Sequence, residues 1–310
     1  MAMAKQATGA NPLPDAAFRL TPAETAGFAR DGFLFRRGFF APDELEPLVR
    51  ATHADPEIDG ALAAVADSHG NPQEVISWTE LGEDLMGVLP RLARLVGAAE
   101  ALLGGPVYHW HSKLSMKRPG SAGRWDWHQD YGYWYEEGCL APDLLTCMVA
   151  IDPSTKANGC VQLVRGSHRL GRLDHARVGE ASGVEPERLA QILKSHETVH
   201  AELAPGDAAF FHSNTLHASG PNPSANPRTI VHFSYNRTNN SPYKPGQERH
   251  CYRPLAVLPD DTLRARRYAS IFTGQEFLMP DPTSPTNAYG YKVLRHARRA
   301  LARTGTSRPD

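Results

Sequence analysis

The stretch PGDAAFFHSNTLHASGPNP, residues 205–223, places two turns around one short apolar segment. Its opening residues 205–207 predict a chain reversal, and the apolar run that follows predicts a strand ending near His212. Residues 220–223 predict a tight return of the chain. Short strands punctuated in this way are typical of an antiparallel β fold and argue against alternating strands and helices.

The same texture extends on both sides of this stretch. Segments rich in β-branched and aromatic residues, each bounded by Gly, Pro, Asn or Asp, are Val107–Met116, Trp125–Tyr135, Leu144–Ile151, Cys160–Val164, Thr198–Leu203, Ala208–His212 and Thr229–Tyr235. Seven or eight short strands without long helices between them predict an antiparallel barrel or jelly roll. The expected fold is mainly β with flanking helices.

Helices are predicted outside these strands. Thr21-Pro22-Ala23-Glu24 has the form of a helix start, with Thr as N-cap and Pro in the first helical position. This helix should stop near Gly32 and lead into a short strand at 33–35. Further helices are expected from Ala41, over Val88–Leu103, over Glu185–Lys194 and over Asp261–Ile271. For Trp78 we expect burial by a helix.

The domain organisation follows from this pattern. Residues 1–20 are expected to form a flexible lead-in, and 21–310 a single domain. Within it we expect a helical part at 21–105, the jelly-roll core at 106–240 and a C-terminal extension at 241–310.

Composition excludes several classes of function. Lys+Arg number 33 and Asp+Glu 34, so the basic excess of a nucleic-acid-binding protein is absent. No segment approaches the roughly 20 apolar residues that span a bilayer. Cys139, Cys147, Cys160 and Cys251 lack the C-x-x-C spacing of a zinc site and are expected to be reduced thiols. We therefore predict a cytoplasmic protein that binds neither nucleic acid nor membranes.

One short motif points to metal chemistry. Trp127-His128-Gln129-Asp130-Tyr131 lies inside a predicted strand, where alternate side chains share a face. His128 and Asp130 should then point to the same side and Gln129 to the other. One imidazole and one carboxylate at this spacing are two members of a 2-His-1-carboxylate triad, the ligand set of non-haem iron oxygenases.

The H-x-D pattern alone is weak, because the chain contains two similar triplets. His53-Ala54-Asp55 ends a predicted helix, where the two side chains would not share a strand face. His200-Ala201-Glu202 is expected at an exposed strand position. His128 and Asp130 differ from both because His217, just past the strand at 208–212, supplies a third ligand.

Arg228 and Ser219 suggest a co-substrate site near the metal. Arg228 opens the strand after the 220–223 return, so its guanidinium can come back beside the pocket. The planar fork of arginine matches a carboxylate bidentately, as the distal carboxylate of 2-oxoglutarate requires. Ser219, two residues past His217, could donate its hydroxyl to the same carboxylate.

Together these residues resemble the phytanoyl-CoA dioxygenase family of iron(II)/2-oxoglutarate oxygenases. The resemblance runs from about Asp31 to Tyr235 and includes Asp31-Gly32-Phe33, Gly38-Phe39-Phe40, the H-x-D motif, the hairpin between Asn158-Gly159-Cys160 and Arg165-Gly166-Ser167-His168, Pro205-Gly206-Asp207, and His217 with Ser219 and Arg228. The resemblance implies a double-stranded β-helix, a cupin-like jelly roll.

The family resemblance implies roles for individual residues. His128, Asp130 and His217 would hold Fe(II), while Arg228, Ser219 and Lys117 would contact 2-oxoglutarate. With O₂ as second co-substrate, the implied reaction hydroxylates a small molecule and releases succinate and CO₂. Halogenases of the family have a small residue in place of the carboxylate, so Asp130 favours hydroxylation, with desaturation and ring closure left open.

Two stretches are most similar to the ectoine hydroxylase type. They are His111–Lys117 and Trp127–Trp134. By this resemblance Trp134 would line the substrate pocket, over a cationic group of the substrate. The other implied substrate contacts are His111, Gln129 and Tyr133, of which His111 stands where that type has a glutamine and Gln129 where it has a serine.

Two alternatives remain at this point. A cupin-type metalloenzyme that does not use 2-oxoglutarate would share the triad but have no use for Arg228. A non-catalytic binding member of the fold would be expected to have lost a metal ligand. For the enzyme, a small-molecule substrate is expected, and a homodimer is possible.

Overall fold

The structure, a computed structural model, describes residues 11–54, 56–178, 181–265, 271–272, 276–281 and 290–295. The strands of this part of the chain are β1 Phe33–Arg36, β2 Ala63–Ala66, β3 Pro72–Trp78, β4 Val107–Lys117, β5 Trp125–His128, β6 Leu144–Ala150, β7 Val161–Val164, β8 His175–Val178, β9 Ala181–Val184, β10 Thr198–His200, β11 Ala208–His212, β12 His217–Ser219, β13 Arg228–Arg237, β14 Glu276–Asp281 and β15 Gly290–Arg295. The α-helices are α1 Pro22–Asp31, α2 Pro42–Ala54, α3 Pro56–Ala61, α4 Leu85–Val88, α5 Ala93–Leu103, α6 Asp130–Glu137, α7 Pro186–Ser195 and α8 Thr262–Ala265.

Two antiparallel sheets form the framework. The larger follows the order β1-β11-β6-β13-β4-β3-β14-β15, with β2 paired to β3, and the smaller follows β10-β7-β12-β5. Most neighbours, such as β6 beside β11 and β5 beside β12, are distant in sequence, so the chain crosses repeatedly between the two sheets. This arrangement is a jelly roll with helices on its outside, which confirms the predicted fold class.

The apolar core has an inner and an outer part. The inner part fills one end of the space between the two sheets, with Phe33, Met148 and Phe211 among its buried members. The outer part packs the helices against the larger sheet, with Leu48 and Leu95 among its buried members. Phe211 and Val161 of the inner part also line a cavity, so the cavity borders this apolar cluster directly.

The N-terminal helices largely follow the predictions. Thr21 and Glu24 form a capping box at the start of α1, and Gly32 ends that helix with φ 84°. The helix predicted over 88–103 is instead broken by a 3-10 turn at Leu89–Arg91, and α5 begins only at Ala93. Pro90 explains the break, because proline cannot donate the backbone hydrogen bond of a helix interior.

The C-terminal and N-terminal segments are described only in part. The helix predicted over 261–271 is seen as Thr262–Ala265, and 266–270 lie outside the described residues. In the predicted lead-in, residues 1–10 are likewise outside them. Phe18 makes an edge contact with Phe39 at a centroid distance of 5.5 Å, so the end of this segment packs on the core. Among the described residues, no helix is long and apolar enough to cross a membrane.

One strand predicted from the sequence is wrong. The strand predicted over 125–135 ends at His128, and α6 begins at Asp130. The alternation of aromatic residues was misleading, because Tyr131 and Trp134 are buried equally well by a helix that ends at Gly138 with φ 108°. Trp78 lies in strand β3, is buried in the outer part of the core, where helices pack against the larger sheet, and contacts the ring of Phe272 at a centroid distance of 5.2 Å.

Candidate metal centre and its cavity

Three side chains converge at the open end of the jelly roll. His128 ends β5 and is the register partner of His217 at the start of β12, which places their rings 4.1 Å apart. Asp130 is the first residue of α6, and its Oδ1 lies 4.0 Å from His128 Nε2 and 3.9 Å from His217 Nε2. Among the described residues, these three side chains form a cluster of His, Cys, Asp or Glu groups that could hold a metal ion.

The route to this arrangement differs from the predicted one. His128 and Asp130 do not share a strand face, because the strand ends between them. The extended backbone of Gln129, with φ −109° and ψ 136°, joins the strand to the helix and turns both ligands toward one point. A hydrogen bond from the Tyr131 backbone N–H to the Ser213 carbonyl, at 3.0 Å, ties the start of α6 to the loop before His217.

The atoms of the triad that do not face the common point are held by the protein. His128 Nδ1 lies 2.7 Å from the Asp126 carbonyl, and His217 Nδ1 lies 2.9 Å from the Thr215 carbonyl. These carbonyls can only accept, so each Nδ1 carries the proton and each Nε2 keeps a free lone pair. The Thr146 hydroxyl donates to Asp130 Oδ2 at 2.9 Å, which leaves Oδ1 free. Two nitrogens and one oxygen thus remain available to a metal.

Burial keeps the two imidazoles in the form a metal needs. It lowers the pKa of His128 well below its usual value, and the neighbouring His217 ring lowers it further. Burial also lowers the pKa of His217, although Asp130 acts in the opposite direction. Both rings are therefore neutral at physiological pH.

A cavity opens from the triad between the two sheets. Its apolar wall includes Trp125, Val161 and Phe211. The residues with polar or aromatic groups toward it are Ser77, Lys113, Ser115, His128, Asp130, Tyr133, Trp134, Thr146, His217, Ser219, Arg228, His232 and Ser234. A cavity with few charges and much apolar surface fits a small organic ligand.

Arg228 stands at the cavity with unsatisfied hydrogen-bonding groups. It begins β13 and is 1% exposed, and its Nε and Nη2 have no hydrogen-bond partner among the described residues. Burial lowers its pKa to about 10, so the guanidinium stays charged. A buried charge without a partner is costly, which indicates that a bound anion completes this site.

The other two predicted co-substrate contacts differ from each other. Ser219 lines the cavity and donates its hydroxyl to the Gly159 carbonyl at 3.1 Å. Lys117 is 2% exposed and is not part of the cavity wall. Its Nζ donates to the carbonyls of Gly123, Ser219 and Gly220, so its hydrogen-bonding capacity is already used within the protein. The prediction for Lys117 is therefore not supported by its position.

The predicted substrate residues also divide. Trp134 and Tyr133 line the cavity, and the Tyr133 ring lies 5.6 Å from that of His128. His111 and Gln129 do not line it. His111 is buried behind Trp134, with ring centroids 5.7 Å apart.

Gln129 points away from the cavity and fastens the loop before β8. Its amide nitrogen donates to the carbonyls of Gly171 and Asn214 at 2.9 and 2.7 Å, and its amide oxygen accepts from the Leu173 backbone N–H at 2.8 Å. Both N–H groups and the oxygen of this amide are engaged, so the side chain of Gln129 holds three backbone segments together.

Two further cavity residues were missed as site residues. Lys113 on β4 and His232 on β13 are register partners and both line the cavity. The available signal was the period-two spacing of Lys113 with His111 and Lys117, which places all three on one face of the strand. That spacing alone does not reveal which of the two lysines reaches the cavity.

The two decoy triplets are engaged elsewhere. His53 Nε2 lies 2.7 Å from Asp152 Oδ1, while Asp55 is outside the described residues. His200 ends β10, and its Nδ1 lies 3.6 Å from the Cys160 sulfur. Among the residues that the structure describes, neither histidine is part of a group that could hold a metal.

Comparison with known proteins gives a consistent result. The family model of phytanoyl-CoA dioxygenase matches residues 28–230. The L-proline trans-4-hydroxylase of Streptomyces griseoviridis is 35% identical over 179 residues, 53% of this chain and 67% of that protein. The ectoine dioxygenase of Halomonas elongata is 33% identical over 264 residues, 78% of each. The crystal structure of EctD from S. alaskensis with 2-oxoglutarate and 5-hydroxyectoine matches with a TM-score of 0.67 and 26% identity, covering 80% of this chain and 90% of that one.

The jelly roll and its buried ligand set define a non-haem iron oxygenase. The chain belongs to the phytanoyl-CoA dioxygenase family and resembles the ectoine hydroxylase type within it. It is accordingly an iron(II)- and 2-oxoglutarate-dependent dioxygenase that acts on a small molecule.

Proposed function

We propose that the protein hydroxylates an unactivated C–H bond of a small molecule while 2-oxoglutarate is converted to succinate and CO₂. The observation that carries this proposal is one cavity lined by both a complete facial triad and an unpaired, buried guanidinium. The triad suits iron(II), and the guanidinium suits a dicarboxylate co-substrate.

The residues present fit an iron ion. His128 Nε2, His217 Nε2 and Asp130 Oδ1 are free of other partners in the part of the chain described, and they face one another. Three protein ligands leave coordination positions for the co-substrates, and the bound iron would supply the oxidative chemistry. The protein itself fixes the ligands through the Asp126 and Thr215 carbonyls and the Thr146 hydroxyl.

Other residues orient the co-substrate and substrate. Arg228 would bind the distal carboxylate of 2-oxoglutarate with its Nε and Nη2 donors, and Ser219 lines the same cavity. Trp134 and Tyr133 would form the wall for the substrate. Lys117, His111 and Gln129 do not line the cavity, and they would act indirectly, by supporting the residues that form its wall. Asp130 occupies the position that a halide would need, so hydroxylation is favoured over halogenation.

Similarity to relatives suggests the size of the substrate. The named relatives act on L-proline or ectoine, and the EctD crystal structure contains 5-hydroxyectoine. We infer a substrate of comparable size. The single domain, the cytoplasmic location, the absence of nucleic-acid and membrane partners and the homodimer remain predictions from the sequence.

A spectroscopic titration tests this function. Iron(II) and 2-oxoglutarate added to the protein without oxygen should give a weak visible charge-transfer band. Arg228→Ala should abolish the band at 2-oxoglutarate concentrations that saturate the native protein, because the buried carboxylate partner is lost. Arg169→Ala, at an exposed arginine, is the matched control and should leave the band unchanged.

The same titration separates the alternatives. A cupin-type metalloenzyme would bind iron without any response to 2-oxoglutarate. A non-catalytic member is expected to have lost a ligand; one that retains all three, as this chain does, would give the band but no succinate after oxygen and substrate are supplied. Absence of the band in the native protein would contradict the proposed use of 2-oxoglutarate.

A further inference from the structure

We propose that Lys113, with the hydroxyls of Ser77 and Ser115, binds an anionic group of the substrate, so that the substrate is a small carboxylate. This inference rests on the proposed function, because it assigns Arg228 to 2-oxoglutarate. It adds an anion site for the substrate to the wall formed by Trp134 and Tyr133.

The three side chains lie side by side on the larger sheet. Lys113 in β4 is the register partner of Ser77 in β3, and Ser115 follows two residues later on the same face of β4. All three line the cavity. His232 pairs with Lys113 from the other side, in β13. An ammonium between two hydroxyls and an imidazole provides several polar groups for one anion.

Lys113 differs from the neighbouring lysine on its strand. The Lys117 ammonium is satisfied by three backbone carbonyls. Lys113 has neither a hydrogen bond nor an ion pair with any of the described residues, although it is only partly exposed. A lysine that faces a cavity without an acceptor is ready to bind an anion from outside the chain.

The charges around the cavity leave that of Lys113 uncompensated. Asp130 is the carboxylate on the described cavity wall, and Arg228 and Lys113 are its two basic side chains. When iron(II) and 2-oxoglutarate are bound, the two positive charges of the metal cancel the two negative charges of the co-substrate. The negative charge of Asp130 then balances the positive charge of Arg228. The positive charge of Lys113 remains, and a carboxylate group of the substrate would pair with it.

Two neighbours of Lys113 do not supply the missing negative charge. Glu137 is buried nearby, but burial raises its pKa to about 8, so it is mostly protonated at neutral pH, and it forms no ion pair with Lys113. Burial lowers the pKa of His232 to about 3, and the charge of Lys113 contributes to that shift. The imidazole is therefore neutral and does not repel an anion.

Position separates Lys113 from the co-substrate site. Arg228 is the register partner of Lys117, four residues and roughly 13 Å along the strand from Lys113. In the other direction, His111 lies two residues from Lys113 and contacts the ring of Trp134. Lys113 thus stands between the guanidinium and the aromatic wall, on the side expected for the substrate.

Matched ligand pairs test the proposal. The protein is first loaded with iron(II) and 2-oxoglutarate without oxygen. This complex is then titrated in a calorimeter with L-amino acids and their amides, with L-proline and L-prolinamide as the first pair. We expect at least one carboxylate to bind at least about tenfold more tightly than its amide, because only the carboxylate pairs with the ammonium. Lys113→Met should remove most of that preference. Lys194→Met, at an exposed lysine, is the matched control.

The charge-transfer titration identifies which ligand Lys113 serves. In Lys113→Met the concentration of 2-oxoglutarate giving half of the band should change less than about threefold, which also shows that the variant is folded. A shift of tenfold or more would assign Lys113 to the co-substrate and overturn the proposal. So would a panel in which no carboxylate is preferred over its amide. Loss of the band in the native protein would instead contradict the proposed function.

Discussion

The metal end and the co-substrate end of the cavity differ in how far the protein satisfies its own polar groups. At the metal end, each ligand side chain makes a hydrogen bond with the protein through its atom that faces away from the metal position. At the co-substrate end, Arg228 is buried with two nitrogens that lack a hydrogen-bond partner in the part of the chain that the structure describes. The first region is complete without a ligand, and the second is not.

This difference has a physical meaning. Hydrogen bonds behind the metal ligands fix their orientation before iron arrives, so little ordering is needed on binding. A buried guanidinium without a partner destabilises the empty protein, and a dicarboxylate removes that cost when it binds. The protein therefore orders its metal site by itself and depends on the co-substrate to complete the other end.

The largest effect is expected from removing a ligand atom. Asp130→Ala should reduce iron affinity and turnover by more than the roughly 10–100-fold that loss of an outer partner costs. Iron retained after gel filtration, together with succinate formation, measures this. Asp174→Ala, at an exposed aspartate, should retain both. Full activity in Asp130→Ala would exclude the carboxylate as a ligand.

A smaller effect is expected from the support behind that ligand. Thr146→Val keeps the shape of the side chain but removes the hydroxyl that donates to Asp130 Oδ2, so iron affinity should fall roughly 10–100-fold. Competition with a chelator measures the affinity. Thr229→Val is the control, because the buried Thr229 hydroxyl has no hydrogen-bond partner to lose among the described residues. Equal affinities in the two variants would show that the metal end is not supported in this way.

At the co-substrate end, Arg228→Lys keeps the charge and removes the planar fork. We expect the affinity for 2-oxoglutarate to fall about tenfold, since an ammonium cannot form the bidentate pair. The charge-transfer band gives the affinity, and iron binding without 2-oxoglutarate should be unchanged. A parallel loss of iron binding would contradict the independence of the two ends.

The smallest effect concerns pH and the stability of the metal-free protein. Burial lowers the pKa of His250, which is 1% exposed, to about 3, against about 6.5 in the unfolded chain. The unfolded state binds the proton first, so stability falls as pH drops below 6.5. One such histidine accounts for about 1 kcal/mol at pH 5.5.

Denaturant unfolding at several pH values tests this contribution. His250→Phe should reduce the dependence of the free energy of unfolding on pH between 6.5 and 4.5, whatever its effect on overall stability. His69→Gln, at an exposed histidine, should leave that dependence unchanged. An unchanged slope in His250→Phe would show that this histidine does not titrate as a buried group.

The metal ligands could be predicted from sequence even though their local structure could not. The residue types and their order, H-x-D followed by a distant His, were sufficient to select His128, Asp130 and His217. The strand argument behind them failed, because α6 begins at Asp130. The ligands still converge, since the bond between Tyr131 and Ser213 joins the helix start to the loop preceding the second histidine.

The outer residues of the site could not be assigned in this way. Lys113 and Lys117 share a strand face and a residue type, and their difference arises from the backbone carbonyls near Lys117. Those carbonyls belong to loops distant in sequence. Gln129 likewise has its partners at Gly171, Leu173 and Asn214, which only the folded chain brings together.

The sequence by itself determined the class of fold, the family and the three metal ligands, because these depend on residue type, spacing and short-range turns. Tertiary structure alone decided which cations face the cavity and which hydrogen bonds are left unmade. The physical reason is that the burial of a side chain and its hydrogen-bond partners depend on chain segments far apart in sequence. No local sequence pattern contains that information. The same fold thus satisfies one lysine with its own carbonyls and leaves the other, with Arg228, open to the cavity.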